Sequence, residues 1–233
     1  MPMSAGEVRK ALRELEDLRY SAGNLDEALR RIVLATHRLF AVDGAGLMLV
    51  DPDQLLRNVA VSDKRVHHLE ELQIEHGEGP GVDAFEEKTM VDSDDLAGED
   101  RWPLFCPAAV DRGLRAVLAS PIPYNQHAIG VVAVFSAKAR PWSPEGELAL
   151  ITFTDLAALC IANTMASEER GEVAEQLQRA LDARVVIEQA KGALVAREGL
   201  TERDAFERLR RQARRERRPV VEVADEVMAT FRS

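Results

Sequence analysis

The sequence predicts an α+β protein, a mixed helix-and-sheet body followed by an all-helical tail. Three observations carry this. Apolar residues recur at helical spacing up to residue 40. Between Gly44 and Ser136 the pattern changes to short apolar runs bounded by turn residues. After Pro144 no proline occurs until Pro219, and helical spacing returns.

Each element follows from its local pattern. Val8, Leu12, Leu15 and Leu18 give an amphipathic helix over residues 6–20, which Gly23-Asn24 ends. Leu25, Leu29, Ile32, Val33 and Leu39 give a second helix over 25–40. Gly44–Val50 and Leu55–Val61 read as a hairpin around Asp51-Pro52-Asp53. A short helix follows over 64–74, then a glycine-rich stretch, Gly77-Glu78-Gly79-Pro80-Gly81, read as a mobile loop over a pocket. Thr89–Val91 is a short strand and Trp102–Arg112 a helix. Arg115–Ile122 and Ala128–Ser136 are two more strands. The run from Ile129 to Phe135 is almost wholly apolar, as in a central strand covered on both faces.

Ser143-Pro144 starts the next helix, with serine at the cap and proline in the first turn. A helix of some fifty residues can follow. Val173, Leu177, Ala180, Arg184, Ile187, Lys191 and Leu194 lie at alternating steps of four and three, the heptad spacing of a short, imperfect coiled coil that favours a parallel dimer. Gly199 ends that helix, and Thr201 with Asp204 forms a capping box for the next, which runs to about Arg217. Arg218-Pro219 breaks it, and Val220–Phe231 forms a last helix. The expected division is 1–166 for the α+β body, 167–184 for a coiled-coil linker and 185–233 for a three-helix module.

Composition narrows the function. The chain of 233 residues is 46% apolar and 30% charged, enough to bury a core. No uninterrupted apolar run reaches bilayer length and the first residues lack a signal-peptide pattern, so the expected location is cytoplasmic, with no membrane partner. Cys106 and Cys160 sit in no CxxC pair, and no Cys/His group has metal spacing, so neither a disulfide framework nor a metal is expected. The five histidines have no motif tying them to a nucleophile, which argues against catalysis. Asp94-Asp95 reads as solvated surface.

Charge is uneven. Residues 1–166 hold 16 Lys+Arg against 26 Asp+Glu, while 167–233 hold 14 against 14. Within 203–218 there are eight arginines and three acids. On a helical wheel Ala205, Phe206, Leu209 and Ala213 share one face, with Arg203, Arg210, Arg211, Arg214, Arg215 and Arg218 spread over the other. Such a face can reach phosphates bidentately and stack on unpaired bases. In the preceding helix Arg184, Glu188 and Lys191 form a polar stripe. Gly192 beside it permits close approach of a nucleic acid, or tight helix packing.

Two stretches carry a resemblance. Gly77-Glu78-Gly79-Pro80, Asp92–Asp95, Arg101-Trp102-Pro103 and the Arg115–Pro121 strand resemble the GAF domains of actinobacterial one-chain regulators, over residues 20–166. In those relatives the loop often reads Gly-Pro-Cys; here Gly81 replaces the cysteine. The resemblance implies an antiparallel sheet with a cup for a small ligand. Cyclic-nucleotide, haem and bilin signatures are not recognisable, so no cofactor is expected and the ligand is unknown. An empty domain used for dimerisation and a sensing one both fit. Trp102-Pro103 reads as a structural plug.

Arg184-Val185-Val186-Ile187-Glu188-Gln189-Ala190-Lys191-Gly192-Ala193-Leu194, Ala205-Phe206, Leu209-Arg210, Ala213 and Val223-Ala224 resemble the ANTAR domain, over residues 170–231. The resemblance implies a three-helix bundle that binds tandem stem-loops in nascent transcripts and prevents terminator formation, touching RNA polymerase only indirectly. The matched positions are Arg184, Ala190, Lys191, Gly192, Ala205 and Arg210, with Ala190 and Ala205 as packing residues. Arg203, Arg211 and Arg214 join the RNA-binding set from the wheel. The expectation is a homodimeric RNA-binding antitermination regulator. Its alternatives are a DNA-binding transcription factor, against which the acidic last helix argues, and a non-catalytic signalling scaffold.

Overall fold

The structure, a computed structural model, describes residues 25–166 and 172–232. The helix expected over 6–20 lies outside them. The described residues divide into two compact units, 25–49 with 56–166 and 172–174, and 50–55 with 175–232.

In the first unit the elements run α1 (Leu25–Leu39), β1 (Gly44–Val50), β2 (Leu56–Val61), α2 (Lys64–His76), α3 (Pro80–Glu87), β3 (Val91–Ser93), α4 (Phe105–Asp111), β4 (Ala116–Tyr124), β5 (His127–Ser136) and α5 (Pro144–Ala166). The five strands form one sheet in the order β2-β1-β5-β4-β3. β5 lies at its centre, antiparallel to β1 and β4, with Ala133 opposite both Gly46 and Ala119. Ala128 to Ser136 are all buried, as a strand covered on both faces requires. α1 and α5 pack together, and α5 packs on β4. α2, α3 and α4 cover the opposite face, where Met48, Val117, Ala119, Val131, Ala133 and Phe135 meet Val66, Leu69, Trp102 and Phe105 in the core. The β4–β5 turn places Asn125 and Gln126 at φ 44° and 67°, the left-handed pair that a two-residue hairpin needs. Pro123, which has no N–H to give the ladder, sits at the register shift.

Three boundaries differ from expectation. The short strand is Val91–Ser93, because Lys88 turns left-handed to end α3 and pairing with β4 starts only at Val91. α4 starts at Phe105 rather than Trp102, where the Glu78 carboxylate accepts from the N–H groups of Leu104 and Phe105 at 2.6 and 3.0 Å. The glycine-rich stretch is a helix junction rather than a loop over a pocket. Gly77 ends α2 in the left-handed region, Gly79 precedes α3, and Pro80 and Gly81 are already helical and buried. Asp95 is engaged as well: it holds Arg115 at 2.8 and 2.7 Å and caps the turn at Ala97.

Ser143 accepts from the Gly146 N–H at 3.2 Å and starts α5 as expected. α5 is long and apolar enough to cross a bilayer by length and composition. Here Leu150, Phe153, Ala157, Ile161 and Met165 are buried, while Leu148, Ile151 and Leu159 are exposed.

The second unit contains α6 (Glu172–Glu198) from residue 175 onward, α7 (Glu202–Glu216) and α8 (Val220–Arg232). Gly199 at φ 66° ends α6. Thr201 accepts from the Asp204 N–H at 3.1 Å and donates its hydroxyl to the Asp204 carboxylate at 2.8 Å, so the cap closes through side chains. Ile187, Ala190, Leu194, Ala205, Leu209, Ala213, Val220, Val223 and Ala224 form the core. The turn over 50–55 belongs to this unit: Asp53 accepts from the Val220 N–H at 3.1 Å, and the Gln54 amide donates to the Ala180 carbonyl at 2.7 Å. Of the heptad positions, Ile187 and Leu194 lie in this core.

A Cβ at Gly130 would overlap the Met48 carbonyl oxygen and the Leu49 side chain across the β1–β5 ladder. Gly130→Ala is therefore expected to lower the unfolding free energy by about 1–3 kcal/mol. Urea denaturation followed by tryptophan fluorescence measures it.

Candidate nucleic-acid interface and sensor cup

In the second unit, α7 has two opposed faces. Ala205, Leu209 and Ala213 point into the bundle. Arg203, Arg210 and Arg214 fall within about 40° of one another on one flank, about 120° from the centre of the packed face, with Arg210 nearest the seam and Arg211 farther round. Arg203, Arg211 and Arg214 are exposed and have no acidic partner among the described residues. Arg208 is held by Glu198, and Arg215 by Glu216. Arg218 is tied to Glu216, Glu222 and Glu226, which removes it from the free set.

Phe206 joins this face to α6. Lys191 Nζ lies 5.9 Å and Arg210 Cζ 5.6 Å from its ring centroid, both within cation–π reach. Each cation also has an acid on its own helix. Lys191 meets both Glu188 carboxylate oxygens at 2.9 Å, and Arg210 meets Glu207 at 2.8 Å. The side chains of Lys191 and Arg210 are only 14% and 19% exposed. They are held at the seam between α6 and α7 rather than displayed. Sequence reasoning assigned Phe206 to the packing face and missed its place between the cations. Arg184 is half-buried, and burial pulls its guanidinium below the ordinary value against the pull of Glu188.

Ala190 and Ala205 are fully buried. Gly192 is exposed, and a Cβ there would meet nothing within 4 Å, so its expected part in tight helix packing is overturned. It leaves a bare patch beside Lys191.

In the first unit the cup face is filled. Trp102 is buried, donates its indole N–H to Asp83 at 2.7 Å, stands edge-on to Phe105 and carries Arg101 over its ring at 4.4 Å. Arg101 also holds Glu99 at 2.6 Å, which draws that carboxyl down to about 2. Cys106 is buried, and burial pushes its thiol up to about 11. A thiol so protonated is a poor nucleophile. No cluster of three or more His, Cys, Asp or Glu suited to a metal occurs among the described residues. Glu70 is wholly buried on α2, and burial raises its carboxyl well above the usual range.

Two outcomes are expected. Folded Glu70 holds its proton more tightly than the unfolded chain does, so stability falls as pH rises from the ordinary carboxylate range through the raised value. Glu70→Gln removes that contribution, so the stability difference between variant and parent shifts in favour of the variant as pH rises above the ordinary carboxylate range. Denaturant midpoints across that rise test it. Separately, Cys106 is expected to react with a disulfide reagent at neutral pH only as the protein unfolds, which mass spectrometry of timed samples reads.

Comparison with known proteins agrees with both units. The GAF domain family matches residues 24–161 and the ANTAR domain family residues 175–228. No curated protein matches. Among solved structures, the GAF domain of a phosphoenolpyruvate-protein phosphotransferase from Acinetobacter matches with a TM-score of 0.56 at 18% identity, covering 70% of this chain and 98% of that one. The corresponding domain from Coxiella burnetii gives 0.53 at 18%, covering 67% and 95%. Free methionine-R-sulfoxide reductase from Neisseria meningitidis, in complex with its substrate, gives 0.54 at 13%, covering 66% and 86%. At these identities the likeness establishes the fold alone. GAF domains sense ligands and ANTAR domains bind RNA in antitermination. The chain belongs to the GAF family and joins to it an ANTAR domain, the architecture of a GAF–ANTAR regulator.

Proposed function

We propose that this protein is a cytoplasmic, homodimeric antitermination regulator whose ANTAR module binds tandem stem-loops in nascent transcripts and blocks terminator formation. A signal at the GAF domain controls it, and RNA polymerase is affected only through the transcript. The observation that supports this best is the arginine face of α7. Arg203, Arg211 and Arg214 are exposed beside a seam where Lys191 and Arg210 flank Phe206. Arginine forks match phosphate oxygens, and an aromatic ring among cations suits unpaired loop bases. Gly192 leaves room for a backbone to approach Lys191. A dimer presents two modules to two loops and gains avidity without new contacts. A duplex-DNA reader is the weaker reading, because Glu222 and Glu226 on α8 bind Arg218 rather than leaving a basic recognition helix.

The test is a mobility shift at fixed salt with a tandem hairpin pair, the same pair with scrambled loops, and duplex DNA of equal length. Retention of the intact hairpins alone is expected. Equal binding to all three reduces the face to generic electrostatics, and preference for the duplex overturns the reading. Arg203→Gln, Arg211→Gln and Arg214→Gln are each expected to reduce the slope of log affinity against log salt by about 0.7–0.9 per lost phosphate contact. Gly192→Ala is expected to raise helix stability by up to about 1 kcal/mol while weakening RNA binding, which separates approach from folding.

A further inference from the structure

The bundle holds two aromatic rings with cations beside them, and they differ in access. Phe206 sits half-buried at the seam of α6 and α7, and its cations are only 14% and 19% exposed. Phe231, near the end of α8, is 38% exposed. Arg197, in the last turn of α6, has its guanidinium carbon 5.3 Å from the Phe231 ring centroid, within cation–π reach. Arg197 is itself exposed and has no acidic partner among the described residues.

The pattern of α8 explains the open ring. Val220, Val223, Ala224, Val227 and Met228 recur at helical spacing and pack in or against the core. Phe231 is the next position of that stripe but is not part of the core. α6 ends at Glu198, so the stripe of α8 runs one turn past what it packs against. A lone exposed apolar side chain is ordinary. An exposed ring with an uncommitted guanidinium beside it is a flat, electropositive surface.

The links place this pair at the cationic end of the bundle. Three residues join each pair of helices, 199–201 and 217–219, and such short links make successive helices antiparallel. α8 therefore ends where α6 ends and α7 begins. Arg203, the first cation of the α7 flank, stands in the first turn of α7 at that same end. Of the acids there, Glu198 holds Arg208 and Asp204 closes the Thr201 cap, so neither covers Arg197. Glu202 is exposed.

Every base has a π-face, and stacking on an aromatic ring holds an unpaired base whatever its identity. A paired stem hides its base faces, so such a surface suits a loop. We propose that Phe231 and Arg197 form a second base-stacking platform of the ANTAR unit, holding one unpaired loop base at the end of the bundle. The ANTAR family match covers residues 175–228 and does not include Phe231. The proposal rests on the RNA-binding reading and adds to the arginine flank a contact to a base rather than to phosphate.

The test uses the full-length protein and the tandem hairpin pair. Phe231→Leu keeps an apolar side chain and removes the ring. It is expected to weaken binding about tenfold at every salt concentration, with the slope of log affinity against log salt unchanged. Phe231→Tyr is expected to keep wild-type affinity. No loss with leucine, an equal loss with tyrosine, or a changed slope overturns the platform. A second measurement needs no variant. Hairpins carrying iodouridine in their loops are irradiated on the wild-type protein, and mass spectrometry locates the cross-link. A cross-link within residues 219–232 is expected, and cross-links confined to other peptides overturn the platform. Failure of the wild-type protein to retain the hairpins overturns the RNA-binding reading itself. Retention that is indifferent to Phe231 removes only the platform.

Discussion

The unbroken apolar run in β5 is the constraint from which the first unit follows. A strand that buries Ile129 to Phe135 needs a neighbour on each edge and a layer on each face. β1 and β4 supply the edges. Neither helical layer is optional, since removing one would expose Val131, Ala133 and Phe135 or Val132 and Val134 to water. The layer made by α2, α3 and α4 fits helices against a sheet where β1 carries Gly44 and Gly46. Those glycines bring α2 close enough for Val66 and the Glu70 carboxyl to reach the strand.

The bundle solves a different problem. α7 is rich in arginine and offers few apolar atoms, so its hold on the core rests on Ala205, Leu209 and Ala213. Fully buried Ala190 and Ala205 lie in the same core and keep the helices close. That closeness places Phe206 within reach of Lys191. Packing on one side of α7 therefore sets the spacing of charges on the other.

Much of this was legible from residue order. The Ser143 and Thr201 caps, the Gly199 terminator and the double burial of β5 are local or periodic signals, and each leaves a trace in a few consecutive residues. What stayed hidden depends on partners distant in sequence. Gly77-Glu78-Gly79-Pro80 looks like a loop because nothing nearby shows that Gln73 reaches Gly81 or that Glu78 caps α4. Glu70 and Gln73 sit in a run of polar residues on α2 whose amphipathic pattern is weak, so nothing in the spacing marks them as buried. In the bundle, the wheel separated α7 into two faces. It could not show that Lys191 and Arg210 are shielded by their own acids. Gly192 carried two readings for a similar reason, since a glycine in a helix signals either contact or emptiness and only the neighbours decide.

The positive face of the bundle is built almost entirely from arginine. Beyond residue 175 the chain contains a single lysine, Lys191, and that one is shielded. Guanidinium groups stay charged across the physiological range. Acylation of lysines, a common way for cells to erase surface charge, finds no exposed substrate on α7. Changes of internal pH leave the face equally untouched. Neither lysine acylation nor a change of pH therefore neutralises this face.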